Sequence, residues 1–192
     1  MIKFHRRNIE TDRLLLHPYA LKYSNPVFNL IQKNKPRLID SFPKLLSATE
    51  TLEETKNFVQ QKIFDWNKNK AFGFLIFHKS ANLLIGHFNL KDIDWKLRKC
   101  ELAYFIDEDF NHQGLTTEAL HRLLSVCFEE LHFMHVFARI VTTNTASQKV
   151  VEKAGLKYEG AFLKDYTTYD NQIVDTYRYG ISKGDYIRLK TI

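Results

Sequence analysis

The apolar positions change period several times along the chain, and each change marks an element. Thr11-Asp12-Arg13-Leu14-Leu15-Leu16-His17-Pro18 reads as a first strand closed by proline. Asn25-Pro26 predicts a helix start, with Val27, Leu30 and Ile31 as its apolar side; Pro36 interrupts the pattern and Phe42-Pro43 ends the region. Thr51 and Glu54 have capping-box spacing, and Thr55, Phe58, Val59, Ile63 and Trp66 follow at helical intervals as far as Asn67-Lys68-Asn69-Lys70. An antiparallel meander comes next. Its strands are 72–78, 83–90 and 99–106, joined by a turn at Lys79-Ser80-Ala81-Asn82 and a polar connection over 91–98.

The chain is organised around the stretch that follows, Phe110-Asn111-His112-Gln113-Gly114-Leu115-Thr116-Thr117-Glu118-Ala119. It opens polar, turns at a glycine and runs into an amphipathic helix. Ala119, Leu120, Leu123, Leu124, Cys127, Phe128 and Leu131 form the apolar stripe, and Thr116 or Thr117 is expected to cap the start. The first N–H groups of a helix have no intrahelical partner and lie at the positive end of its dipole, so such a turn can hold a phosphate through backbone alone. A turn glycine is equally what an ordinary strand-to-helix connection requires, so the surroundings must decide. Residues 135–142 read as a buried strand. Asn144-Thr145-Ala146-Ser147 starts a helix that ends at Ala154-Gly155, and 156–163 with 175–181 form a closing hairpin around Asp170-Asn171. With no repeat or linker between them, these elements describe one α+β domain over residues 1–192, a mixed, mostly antiparallel twisted sheet flanked by helices.

Composition narrows the classes. The 192 residues, 44% apolar and 14% aromatic, suit a globular fold. Met1-Ile2-Lys3-Phe4-His5-Arg6-Arg7 is charged from the outset, with no apolar segment of a secretory signal, and no run reaches membrane-spanning length. A cytoplasmic protein is expected, with Cys100 and Cys127 as buried thiols. The net charge of +6 is compatible with a polyphosphate ligand, but its cations are spread along the chain, so direct nucleic-acid binding is not expected. His132 and His135 are the only suggestive metal spacing and lack companions, so no metal is expected.

Several short motifs then fall into a familiar order. Thr11-Asp12-Arg13-Leu14-Leu15-Leu16, Leu84-Ile85-Gly86, Glu101-Leu102-Ala103-Tyr104-Phe105-Ile106, the glycine turn, Asn144-x-x-Ser147, Glu152-Lys153-Ala154-Gly155-Leu156 and Glu159-Gly160 together resemble the GNAT N-acetyltransferase superfamily. The branch most resembled is that of the ribosomal-protein N-terminal acetyltransferases. The glycine turn departs from the superfamily's pattern: Asn111 stands where Gln or Arg is usual, and Thr116 where Gly or Ala is usual. A tyrosine that many members use as general acid would fall at Val151.

The resemblance implies an enzyme that transfers acetyl from acetyl-CoA to a primary amine. Asn111, His112, Gln113, Gly114, Leu115, Thr116 and Thr117 would hold the pyrophosphate, and Tyr104, Phe105 and Ile106 the pantetheine and thioester. Asn144 would contact the pantetheine, although its spacing to Ser147 equally suits a helix cap. Ser147 would protonate the leaving thiolate. Glu101 is a candidate base, with Asp165, Tyr166 and His87 as substitutes. The acceptor implied is a protein N-terminal α-amine, such as that of a ribosomal protein. The alternatives are a polyamine or aminoglycoside, whose cleft would need carboxylates such as Glu50, Glu53, Glu54 or Asp94, and a non-catalytic acyl-CoA-binding or ribosome-associated module. A monomer or homodimer is expected.

Overall fold

A computed structural model describes residues 4–191, so the charged opening at Met1-Ile2-Lys3 lies outside the described residues. Eight strands form one sheet in the order β1-β2-β3-β4-β5-β6-β8-β7. They are β1 (Ile9–Glu10), β2 (Leu14–Pro18), β3 (Phe72–His78), β4 (Leu83–Asp94), β5 (Lys99–Ile106), β6 (His135–Val141), β7 (Lys157–Thr167) and β8 (Ile173–Ser182). Every pairing is antiparallel except that of β5 with β6. The mixed, mostly antiparallel α+β architecture expected from the sequence is therefore the one found.

Helices cover both faces. On one face α4 (Leu115–Ser125) and α5 (Thr145–Lys153) pack on Phe74, Phe88, Leu102, Val136 and Ala138. On the other, α1 (Ser24–Leu38), the short α2 (Pro43–Ser47) and Val59 of α3 (Leu52–Asn67) enclose Tyr19, Leu75 and Phe105. The capping box of α3 forms as expected: Thr51 accepts from the Glu54 amide while the Glu54 side chain accepts from the Thr51 amide. At the other end of the chain, α6 (Lys183–Lys190) follows β8, with Ser182 as its cap.

Several boundaries differ from the sequence reading. α1 begins at Ser24, so Asn25 and Pro26 lie in its first turn rather than capping it; Ser24 Oγ donates back to the Leu21 carbonyl. Pro36 lies inside α1, which runs on to Leu38, because packing of Ile31 and Leu38 in the core outweighs the loss of one amide donor. Pro43 opens α2 instead of closing a region. Residues 91–94 continue β4, held by the Lys91↔Glu101 and Asp94↔Lys99 pairings. The cap of α4 is Gly114 rather than Thr116 or Thr117. The stripe beyond Ser125 also leaves α-helical geometry for a π turn (Val126–Glu130) that buries Val126, Cys127 and Phe128 in succession.

Candidate active site

The site begins where two strands part. β5 and β6 pair at only three positions, Lys99↔His135, Cys100↔Val136 and Glu101↔Phe137. Beyond Glu101 the two strands diverge, and a cleft of about 530 Å³ opens between the C-terminal end of β5, the loop into α4 and the start of α5. Its walls include Tyr104, Phe105 and Ile106 from β5; Asn111, His112, Gly114, Leu115, Thr116 and Thr117 from the glycine turn; and Asn144 and Ser147 from α5. The residues read from the sequence as cofactor-binding thus come together, with one exception. Gln113 does not line the cleft: its carbonyl turns outward to accept from Arg13 Nη1 at 2.9 Å.

That contact belongs to a clamp. Arg13 Nε donates to Glu118 Oε2 at 2.6 Å, and Glu118 Oε1 accepts from the Arg13 amide at 3.0 Å and from the Thr11 hydroxyl. The first-strand motif Thr11-x-Arg13 therefore grips the first turn of α4 and the preceding peptide at once. Burial pushes the Glu118 carboxyl up, but the hydrogen bonds from Thr11 and Arg13 outweigh it and hold the group below the usual glutamate range. Gly114 caps α4 with φ of 75°, a left-handed conformation that glycine adopts without strain.

α5 is set by its own cap. Asn144 Oδ1 accepts from the Ser147 amide at 3.0 Å, and the Ser147 carbonyl accepts from the Tyr104 hydroxyl at 3.3 Å. Tyr104 itself stacks on Phe88 with ring centroids 4.8 Å apart, so the floor of the cleft fixes the helix above it. Burial raises the Tyr104 pKa, opposed by a hydrogen bond with the Ser147 side chain, so the Ser147 hydroxyl is engaged with Tyr104. The cap and the cleft position of Asn144 are compatible, since the amide nitrogen is left to donate weakly to Ser41 Oγ at 3.4 Å.

Sequence reasoning missed Arg37, Ser41, Phe42, Lys149, Val150 and Lys153, all of which line the cleft. Lys149 and Lys153 were legible, because helical spacing from Ala146 places them on the same side of α5. Arg37, Ser41 and Phe42 arrive by long-range packing: Phe42 meets Phe105 edge-on at 5.6 Å, and Arg37 Nη1 reaches the Ile106 carbonyl at 3.5 Å. The charged lining consists of Arg37, Lys149 and Lys153, joined by His112, with no carboxylate among the described residues. An anion is the ligand this cleft fits.

The candidate bases sit elsewhere. Glu101 does not line the cleft; its carboxylate, 5% exposed, accepts from Arg139 Nε and Nη2 at 3.1 and 2.9 Å and faces Lys91 at 2.8 Å. Held by two cations, this carboxylate fastens β5 to β6 at their last paired position. Asp165 accepts from the Thr176 hydroxyl at 2.9 Å and lies 3.6 Å from Arg139. The Tyr166 hydroxyl donates to the Ser41 carbonyl at 2.9 Å, and burial with the nearby Glu101 charge pushes its pKa up to about 12. His87 is buried and hydrogen-bonded to the Tyr19 hydroxyl at 2.8 Å. Burial, followed by the Lys62 charge, lowers its pKa to about 3, leaving it neutral and weakly basic. Cys100 and Cys127 are both buried free thiols, as expected.

A mixed sheet that parts beside a glycine-capped helix leaves a basic cleft suited to a polyphosphate-bearing ligand. A family model described as "Acetyltransferase (GNAT) domain" matches residues 13–157, and the chain belongs to that family. It is an acetyl-CoA-dependent N-acetyltransferase. The ribosomal-protein-serine acetyltransferase of Escherichia coli (strain K12) is 27% identical over 168 residues, covering 84% of this chain and 90% of that one. The probable N-acetyltransferase YjcK of Bacillus subtilis (strain 168) is 33% identical over 99 residues, 51% of this chain; the match spans 55% of that relative. Among solved structures, a RimL ribosomal L7/L12 alpha-N-protein acetyltransferase in complex with coenzyme A superposes with a TM-score of 0.85. It has 21% identity, over 92% of this chain and 98% of that one. The microcin C7 self-immunity acetyltransferase MccE, solved with acetyl-CoA and AMP, gives 0.82 at 21% identity, covering 90% of this chain and 93% of that one. Among the described residues, no helix is long and apolar enough to cross a membrane.

Proposed function

We propose that the chain works as one N-acetyltransferase domain whose acceptor is a protein N-terminal α-amine, of the kind presented by ribosomal proteins. The observation that carries this reading is where the carboxylates lie. A polyamine or aminoglycoside site needs free acids, and the four candidates are engaged away from the cleft. Glu50 accepts from the Tyr169 hydroxyl, Glu53 pairs with Lys56, Glu54 completes the α3 capping box, and Asp94 accepts turn amides from Lys96 and Leu97. Similarity to the E. coli enzyme, whose name specifies a ribosomal-protein serine, points the same way.

In this reading the amides of the glycine turn and the α4 N-terminus hold the pyrophosphate of acetyl-CoA, with Arg37, Lys149 and Lys153 adding charge. Backbone groups of Tyr104, Phe105 and Ile106 hold the pantetheine along the unpaired edge of β5, and Asn144 borders it. Ser147, its hydroxyl beside that of Tyr104 at the cleft, donates a proton to the departing thiolate. An α-amine with a pKa of about 8 is partly neutral at physiological pH, so it reacts without a strong base. This accords with the occupation of Glu101, Asp165 and His87 by other partners. A lysine side chain, with a pKa of about 10.4, would be almost wholly protonated and would need that base.

The test supplies acetyl-CoA with a panel of N-terminal peptides beside spermidine and an aminoglycoside, and follows free thiol. Peptide-dependent release, rising with pH to a plateau near the amine's pKa, is expected. Release only with the polycations would overturn the acceptor reading. Ser147→Ala is expected to lower kcat by about tenfold to a hundredfold while leaving the Kd for acetyl-CoA within about twofold. Unchanged kcat would remove Ser147 from the chemistry.

A further inference from the structure

Among the described residues, two groups of cations without an ion pair stand out. One lines the cleft. The other is at the opposite end of the sheet, roughly 20 Å away along the length of β5. There three loops are bound into one surface: the link from α3 to β3, the β4–β5 hairpin tip, and the turn into β6. Trp95 Nε1 donates to the Asn69 carbonyl at 2.8 Å, and the Met134 amide donates to the Arg98 carbonyl at 2.6 Å. The Lys183 amide, at the start of α6, donates to the Met134 carbonyl at 2.9 Å. The Trp95 ring sits 5.3 Å from Phe133 and pins the hairpin tip.

On this surface Lys68, Lys70, Lys96 and Arg98 are exposed, and Lys99 and Lys183 half-buried. None of the six makes an ion pair among the described residues, whereas Lys33, Lys79, Lys91 and Lys157 elsewhere all do. The nearby acids Asp94 and Asp65 form no ion pair with them among the described residues. Asp94 accepts from the Lys96 and Leu97 amides, and Asp65 accepts from Gln61 Nε2. Beside the lysines the Phe64 ring is 47% exposed, with the Lys68 and Lys70 ammonium groups each 5.8 Å from its centroid. Arg98 itself sits at φ of 52°, where glycine or asparagine would be less strained.

We propose that this end of the molecule is a docking surface for single-stranded RNA, with its phosphates on the lysines and Arg98 and a base stacked on Phe64. A carboxylate-rich protein segment would match the charge but brings no aromatic plane to the exposed Phe64 ring. A nucleobase can lie against the exposed part of that ring while its phosphates reach the Lys68 and Lys70 ammonium groups beside it. The three loops are tied to each other and to the core, so little order has to be created on binding. The hairpin tip alone carries Lys96, Arg98 and Lys99, and the fold brings the cations of the other two loops to the same face.

The test is fluorescence anisotropy of a labelled unstructured RNA with the full chain, at salt from about 50 to 200 mM. Saturable binding is expected, with a log–log salt slope of about −2 or steeper, since each phosphate neutralised on a single strand contributes about −0.7. Lys96→Glu with Arg98→Glu should weaken binding at least tenfold and leave acetyl-CoA affinity unchanged. Phe64→Ala should weaken it roughly fivefold or more without altering the slope. Arg98→Gly guards against misfolding, because glycine accepts that backbone angle; it should bind RNA more weakly with no fall in Tm. The proposal is overturned by absence of binding at low salt, or by binding that saturating CoA abolishes, which would place the RNA in the cleft. Equal affinity for polyglutamate with no effect of Phe64→Ala would also overturn it, in favour of an acidic protein.

Discussion

Single positions in this chain act through what the backbone or the solvent permits there. Gly86 lies opposite Ile106 in the sheet, and a Cβ added to it would stand 2.6 Å from the Phe105 carbonyl oxygen. Main chain cannot yield as a side-chain tip can, so Gly86→Ala must push β5 at the floor of the cleft. We expect a loss of about 1–3 kcal/mol in chemical denaturation together with a raised KM for acetyl-CoA. At Gly114 the surroundings are open, the nearest atom to an added Cβ being Arg13 Nη2 at 3.7 Å, and the constraint is the φ of 75° alone. Gly114→Val should therefore weaken CoA binding severely through the backbone; unchanged affinity in calorimetry would remove the turn from the binding site. Lys62 illustrates the solvent side. Burial lowers its pKa to about 8, opposed by the Asp65 charge. Its charged form is disfavoured in the fold, so the penalty is full below pH 8 and fades between pH 8 and the unfolded value near 10.4. Lys62→Met keeps the stem near Gly73 while removing the charge and, with it, the ammonium's contact with the Phe58 ring. It should stabilise by the order of 1 kcal/mol at pH 7, after allowance for solvent at the half-buried ammonium, and the gain should shrink above pH 8.

Elements explain how the cleft's backbone donors stay aimed. α4 is held not by a side-chain cap but by the Arg13 and Glu118 clamp, which also turns the Gln113 carbonyl away from the ligand. Arg13→Ala is expected to raise the KM for acetyl-CoA about tenfold with kcat within about threefold, since the clamp positions the cradle and touches no reacting atom; equal loss in kcat would contradict this. The Glu118 pKa is depressed in the fold, so its contribution is complete above the ordinary glutamate range and is lost as pH falls through the lower folded value. CoA affinity should accordingly weaken on acidification below about pH 4 in wild type and lose that dependence in Glu118→Gln. Legibility follows the same division. The α3 capping box, the α5 cap at Asn144 and the glycine turn were readable because each is decided within four residues of sequence. Pro36 inside α1, the extension of β4 to Asp94 and the cap at Gly114 were not, because the core or a partner strand decides them. The stretch that lines the cleft was legible as a group because most of it runs consecutively through β5, the turn and α4. What the sequence could not display is that Glu101, Asp165 and His87 have partners of their own in the fold.

At the scale of the molecule, the cleft exists because the sheet is joined below it and braced above it. Below, Glu101 bridges Lys91 on β4 and Arg139 on β6 at the point where β5 and β6 cease to pair. Above, Tyr166 on β7 donates to the Ser41 carbonyl while Asn144 on α5 reaches the Ser41 hydroxyl, so the loop between α1 and α2 is tied across the opening. The two ties are expected to fail differently. Glu101→Gln removes the charge from a nearly buried site and leaves Lys91 and Arg139 with Asp92, and Arg139 with Asp165, as their remaining acids. It should cost about 1–3 kcal/mol of stability, tempered by the partial exposure of Arg139, and should lower kcat only as far as the strands shift. Tyr166→Phe removes one donor and leaves the Ser41 carbonyl without it, worth about 1 kcal/mol. Because the loop above the opening is what loosens, the KM for the peptide should rise while the Kd for acetyl-CoA stays put. With its proton already committed to Ser41 and its pKa near 12, Tyr166 is placed to brace rather than to donate. A hundredfold fall in kcat at unchanged peptide KM would reverse that assignment and make Tyr166, instead of Ser147, the acid that meets the thiolate.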